Sequence, residues 1–227
     1  MKKIGMVVAM QSEVKSFLEG KNLPVEMQKR GGFDVMKFHL GDNPVICVKS
    51  GVGEILASSA TQMLISEFGV DLIINFGVCG SLVDGVKVGD VAVVNGVVHY
   101  DFDTSAFDGC EVGRYLQYPD VIIRPDGELI EKVKQIYPEI NQVVCASADK
   151  FVADEKIKQN LAKTFGASVC EMESAGVLLT SLNAGVPCLI IKAVSDGKGG
   201  AEEFKQMVDY SSRRYVELIY KLSESLR

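Results

Sequence analysis

No stretch of this chain approaches the roughly 20 consecutive apolar residues needed to cross a bilayer, so a membrane span is not expected. No block of like charges occurs either. At a net charge of −6, with Lys and Arg scattered, a nucleic-acid-binding face is not expected, because phosphate neutralisation needs clustered cations. The six cysteines (Cys47, Cys79, Cys110, Cys145, Cys170 and Cys188) show neither metal-ligand nor CxxC spacing, which argues against a zinc site and a redox couple. Most lie in apolar runs, where a free thiol behaves as a small hydrophobe, and reduced thiols point to the cytosol. The amino terminus runs from Met-Lys-Lys into a strand pattern with no h-region, so a secretory leader is not expected. The only histidines, His39 and His99, sit in extended runs without a Ser or Cys nucleophile motif, which disfavours a catalytic triad.

What is present suits one α/β domain covering residues 1–227, with 47% apolar residues to build its core. The patterning predicts strands at 3–10, 33–40, 43–50, 71–77 and 89–100, with Gly41-Asp42-Asn43 as a hairpin turn. It predicts helices at 11–20 and 54–68, the latter with Leu56, Ala60, Met63 and Leu64 on one face. Residues 101–125 carry no periodic apolar face, and a loop that long is often functional. Beyond it, helices at 126–137, 155–165, 173–184 and 202–225 alternate with strands at 141–147, 167–171 and 188–194. Such alternation implies a largely parallel sheet with right-handed crossovers.

Three acids follow apolar, strand-like runs: Glu13 after IGMVVAM, Glu173 after SVCEM, and Asp196 after LIIKAVS. Ligands of open α/β sheets bind at the carboxyl ends of strands, so the three suggest one acid-lined pocket. Each has a bland reading beside the functional one. Asp196 in Ser195-Asp196-Gly197 reads as a turn or cap, or as a general acid raised by burial and oriented by Ser195. Glu13 reads as a first-turn acid favoured by the helix dipole, or as a base for an attacking water. Glu171 and Glu173, at i and i+2, share one face of an extended stretch. Glu173 reads as a capping acid, or as a carboxylate that accepts from two adjacent hydroxyls.

Two glycine-bearing segments follow strands: Ser50-Gly51-Val52-Gly53 and Gly77-Val78-Cys79-Gly80-Ser81. Neither is GxGxxG or a P-loop, and tight strand-to-helix turns are the expected role. The six arginines (Arg30, Arg114, Arg124, Arg213, Arg214 and Arg227) avoid these strand ends, whereas a phosphate site normally wants one. Phe151 reads as core, or as a ring that stacks on a flat ligand.

AMQSEV, SGVG, DLIINFGVCGSL, KVGD at 87–90, DKFV, VCEMESAG and KAVSD occur in this order. With them the chain resembles the bacterial 5′-methylthioadenosine/S-adenosylhomocysteine nucleosidases of the nucleoside phosphorylase superfamily, over about residues 3–222. The resemblance implies a mixed, partly barrel-like sheet flanked by helices, a homodimer, no cofactor and no metal. It implies hydrolysis of an adenine N-glycosidic bond in a small-molecule nucleoside, of use in methionine salvage. Carried over by motif, Asp196 would protonate purine N7 with Ser195 orienting it, and Glu13 would position or deprotonate the water. Glu173 would hold the ribose hydroxyls above Met172, with Glu171 beside them. Phe151 would stack on adenine while the Val152 backbone reads its edge. Val52 and Phe204 would line the 5′ pocket, with Met10, Val78, Cys79 and Gly80 completing the wall. Phe107 would be lent to the neighbouring subunit.

This chain departs from that pattern at Val78, where Ser is usual, at Lys192, where Arg is common, and at Ala148, where Gly is customary. Two rival readings share the scaffold. A phosphorylase would use phosphate as nucleophile, against which the shortage of Arg and the charge of Glu13 both argue. A nucleoside-binding protein without turnover is the other, since fold does not fix function.

Overall fold

The computed structural model describes residues 1–20 and 23–226. Among these, nine strands and eight helices follow in the order β1 (Ile4–Val8), α1 (Gln11–Glu19), β2 (Glu26–Arg30), β3 (Phe33–Leu40), β4 (Asn43–Lys49), α2 (Glu54–Phe68), β5 (Leu72–Ser81), β6 (Val91–His99), α3 (Ser105–Asp108), α4 (Gly127–Ile136), β7 (Asn141–Ser147), α5 (Glu155–Phe165), β8 (Val169–Glu171), α6 (Ser174–Asn183), β9 (Cys188–Asp196), α7 (Gly200–Ser211) and α8 (Val216–Ser225).

The strands form one sheet in the order β2-β3-β4-β1-β5-β8-β7-β6-β9, and β9 also pairs with β5. That extra pairing closes β5, β8, β7, β6 and β9 into a five-stranded barrel, with β1, β4, β3 and β2 extending from β5. Closure removes two sheet edges that would otherwise need cover. Pairing is mixed: β1–β4, β1–β5, β5–β9, β6–β7 and β7–β8 are parallel, and β2–β3, β3–β4, β5–β8 and β6–β9 antiparallel.

Every residue of β5 and β9 is buried. These two strands are covered on both faces, which is why they read as near-continuous apolar runs, interrupted by Asn75 and Lys192, rather than as alternation. On one face, Phe17 of α1 stacks on Tyr220 of α8 at 5.0 Å and meets Phe76 of β5 at 5.4 Å. Phe76 in turn packs on Tyr215, whose hydroxyl donates to the Glu13 carbonyl at 3.2 Å. That cluster fixes α1, and with it Glu13, against β5.

Several expectations change. The strand predicted at 71–77 continues through Ser81, so Gly77-Val78-Cys79-Gly80-Ser81 is strand, not a turn. The Ser50-Gly51-Val52-Gly53 segment does turn, with Gly51 and Gly53 at φ 89° and 109°, a conformation that favours glycine. The helix predicted at 202–225 is two helices, broken where the Arg213 and Arg214 amides turn back to the Tyr210 and Ser211 carbonyls. No Gly or Pro marks that break. β2 was not expected: it is a polar, mostly exposed edge strand, held to β3 through Gly31-Gly32 and ion pairs such as Lys29–Asp34 at 2.8 Å. On α2 the inward face is Ala57, Ala60, Thr61, Met63 and Leu64, whereas Leu56 points outward.

Candidate active site

The carboxyl ends of β1, β5 and β9, the β8–α6 junction and the segment after β7 surround one cavity of about 310 Å³. That volume lies at the lower end of the range for small-molecule sites. Glu13, Glu171, Glu173 and Asp196 all line it, and each is less than one-tenth exposed. Met10, Val52, Val78, Cys79, Gly80, Phe151, Val152, Met172, Ser195 and Phe204, all expected, line it too, with Ala9, Lys150 and Cys170 in addition.

Glu13 sits in the first turn of α1 and also lines the cavity. Its Oε2 accepts from the Ala9 and Met10 amides at 3.0 and 2.8 Å, and its Oε1 from the Val78 amide at 2.9 Å. A carboxylate offers about four lone-pair sites, which leaves one of them for a ligand or water. Burial raises its pKa, while the Lys192 charge and the three amides pull it back. The approach to β5 is possible because residue 77 is glycine: a Cβ there would overlap the Glu13 carboxylate.

Glu171 and Glu173 divide their tasks. Glu171 accepts from Lys192 Nζ at 2.8 Å and from the Glu173 and Ser174 amides at 3.1 Å. Burial works most strongly against its ionisation, but the Lys192 charge and the hydrogen bonds from Lys192, Ser147 and the Ser174 amide together outweigh it and hold Glu171 below the usual carboxylate range. The same partner raises Lys192 against its own burial. Glu173 caps α6 and accepts from the Gly53 amide at 2.9 Å through Oε1. Among the described residues its other oxygen has no hydrogen bond from the protein. Burial, and then the Glu171 charge, push Glu173 up to about 8.

Asp196 ends β9 rather than following it. The Ser195 hydroxyl lies 2.9 Å from Asp196 Oδ1 and 3.2 Å from the Cys79 carbonyl, so it ties the carboxyl to β5. Lys158 Nζ, from α5, lies 3.7 Å from Oδ2. Burial raises the Asp196 pKa, and the Ser195 hydroxyl and Lys158 charge oppose that rise. Gly80 gives the carboxyl its room, since a Cβ there would stand 3.0 Å from Oδ2.

Phe151 and Phe204 meet edge to face at 5.6 Å beside the cavity. Phe107 is elsewhere: it lies on α3, 93% exposed and off the cavity wall. No arginine lines the cavity among the described residues, and Arg227 lies outside them. Sequence reasoning missed Lys158, whose only signal is its place between Ile157 and Leu161 on the inner side of α5. It also missed Glu54, a buried acid at the start of α2 that accepts from Ser147 at 2.6 Å. Burial, then the Glu171 charge, raise Glu54 to about 7.

A model of the phosphorylase superfamily matches residues 3–226. A 5′-methylthioadenosine/S-adenosylhomocysteine nucleosidase of Shewanella pealeana is 30% identical over 232 residues, covering 99% of this chain and 100% of that one. The chain belongs to the 5′-methylthioadenosine/S-adenosylhomocysteine nucleosidase family. Among solved structures, the nucleosidase of Helicobacter pylori superposes with a TM-score of 0.94 at 29% identity, covering 99% of each chain. A mutant of that enzyme has been solved with 5′-methylthioadenosine in its active site. Futalosine hydrolase of Helicobacter pylori is similar too, with a TM-score of 0.93, 28% identity and coverage of 99% and 98%.

Within this nucleosidase family, the three departures now have physical settings. Val78 offers Glu13 its backbone amide, a contact that needs no side-chain hydroxyl. Lys192 reaches Glu171 with a single ammonium where a guanidinium would offer a fork. Ala148 is fully buried, its amide donating to the Glu171 carbonyl at 3.3 Å.

Proposed function

We propose that the protein hydrolyses the adenine N-glycosidic bond of 5′-methylthioadenosine, S-adenosylhomocysteine or a related 5′-modified adenosine. The convergence of Glu13, Glu173 and Asp196 on one cavity carries this reading. Adenine packs against Phe151, and the Val152 backbone meets its edge. Glu173 holds the ribose hydroxyls through its free oxygen, with Met172 beneath the sugar and Glu171 anchoring the Glu173 segment. Val52, Met10 and Phe204 receive the 5′ substituent.

As the bond between C1′ and the purine nitrogen breaks, positive charge develops on the sugar, and the surrounding carboxylates stabilise it. Asp196 gives its proton to purine N7, so the leaving group departs neutral. Glu13 takes a proton from water as the water oxygen bonds to C1′. No cofactor enters this balance. An incoming phosphate would face Glu13 with no arginine on the described wall to offset the repulsion, which favours water as nucleophile.

The same reading includes a homodimer. Val52, Ile55 and Leu56 at the start of α2 and Leu182 of α6 expose apolar side chains, and Phe107 projects into solvent. A partner on this face would cover them and bring Phe107 to the neighbouring cavity. A cytoplasmic setting belongs to the proposal as well; among the described residues no helix is long and apolar enough to cross a membrane.

The test is adenine release from 5′-methylthioadenosine, S-adenosylhomocysteine and other 5′-modified adenosines, with and without phosphate. Release at an equal rate without phosphate is expected. Strict dependence on phosphate would make the protein a phosphorylase, and tight binding without release would make it a nucleoside-binding protein.

A further inference from the structure

Asp196 is gripped from behind, from outside the cavity that receives the nucleoside. Lys158 does not line that cavity. It borders a separate one of about 390 Å³, together with Ser81, Lys87, Gly197 and Glu203. Its side chain is nevertheless 2% exposed, and a lysine is rarely buried to that degree without a charge to meet. Two groups meet it. Its Nζ donates to the Gly197 carbonyl and lies 3.7 Å from Asp196 Oδ2, an ion-pair distance rather than a hydrogen bond. Glu203 of α7 holds the other side of the same residue, accepting from the Gly197 amide at 2.7 Å and the Gly199 amide at 3.2 Å. The residue after the acid is thus pinned through both its carbonyl and its amide.

We propose that Lys158 is a positioning residue for the proton donor: its buried ammonium fixes the Asp196-Gly197 segment and stabilises the carboxylate left on Asp196 when the proton departs. The inference rests on the hydrolase reading. When Asp196 gives up its proton, an anion forms beside a cavity that already holds Glu13, Glu171 and Glu173. The groups facing Asp196 from the packed elements are Lys158 of α5, Glu203 of α7, Cys79 of β5 and Cys170 of β8. Lys158 is the one cation in that set. A fixed charge in a dry site needs no reorganisation at the moment of transfer, so it acts on the transition state. Burial raises Asp196 and favours its protonated form; the Lys158 charge opposes that rise, so that the acid can still give the proton up.

Adenine release by the wild type, Lys158→Met and Lys158→Arg, measured for kcat and KM across pH, tests this. Met removes the charge at similar volume. Lys158→Met should lose about tenfold or more in kcat, a part of the 10²–10⁴ range of general acid catalysis, with KM little changed. Its alkaline limb should move to higher pH, because Asp196 without its cation holds its proton more tightly. Lys158→Arg should recover much of kcat and return the limb toward its wild-type position. The inference is overturned if Lys158→Met melts like the wild type and keeps its kcat and limb. It is also overturned if the Met and Arg variants are equally impaired with unmoved limbs, which would mark Lys158 as purely structural. If the Met variant does not fold, Lys158→Gln is read by the same criteria. A wild type that releases no adenine sinks the hydrolase reading, and this inference with it; normal wild-type turnover beside an indifferent Lys158→Met sinks this inference alone.

Discussion

In the proposed reaction Asp196 and Glu13 have to hold opposite protonation states at one pH, and their surroundings differ. Three backbone amides donate to Glu13 and stabilise its anion, whereas Asp196 has one hydroxyl and an offset lysine. Burial raises both, so each limb is displaced upward from the ordinary values of 4.5 and 3.8. Under the proposed roles Glu13 works deprotonated, and activity is expected to fall as pH drops through its pKa. Under the same roles Asp196 works protonated, and activity is expected to fall as pH rises through its own. A bell-shaped kcat/KM profile is expected, and a profile lacking either limb would contradict the assignment. Asp196→Asn and Glu13→Gln should each cost about 10²–10⁴ in kcat with the fold retained. Full-rate hydrolysis by either variant removes that residue from its role. Carboxylates after apolar runs were visible in the sequence because burying a charge is expensive and leaves few explanations. Lys158 was not visible, since a lysine on a helix surface looks the same in sequence whether it meets solvent or an acid.

At the scale of elements, β5 was the most misleading. Its glycines suggested a turn, yet they serve to admit the Glu13 and Asp196 carboxylates against an extended backbone. Space needed by a side chain from another strand or helix leaves no mark in local sequence. Gly77→Ala should therefore displace the Glu13 carboxyl, break its bond from the Val78 amide and lower kcat sharply, while circular dichroism and the melting cooperativity stay close to wild type. An active Gly77→Ala enzyme would mean that Glu13 is not needed where the structure places it. The strands β1, β3, β4 and β7 and the helices α2 and α5 were legible because their periodicity or their flanking glycines are local signals. β2 was not, having neither alternation nor burial. The break between α7 and α8 was not either, because the apolar stripe continues through Ser211 and Tyr215 while the backbone turns.

At the scale of the molecule, the barrel closure through β5 and β9 depends on contacts far apart in sequence, and alternation of strands and helices alone foretold only a parallel sheet. The proposed homodimer is a separate matter for measurement. Light scattering is expected to give twice the chain mass. Ile55→Asp, at a residue 75% exposed in the single chain, should yield a folded monomer with lost turnover. Phe107→Ala should stay dimeric but raise KM for 5′-alkylthio substrates. A fully active monomer would refute the lent-ring arrangement.

The ion pair between Glu171 and Lys192 constrains how such a site can diverge. It joins β8 to β9 in the interior, with the two side chains 3% and 2% exposed, and losing one partner of such a pair costs about 3–5 kcal/mol. The two positions are epistatic. A neutral residue at either one is tolerated only after the other has changed, so libraries that randomise single codons will discard both steps of a viable double exchange. Lineages with a different cation at 192 are reached through charge-conserving intermediates.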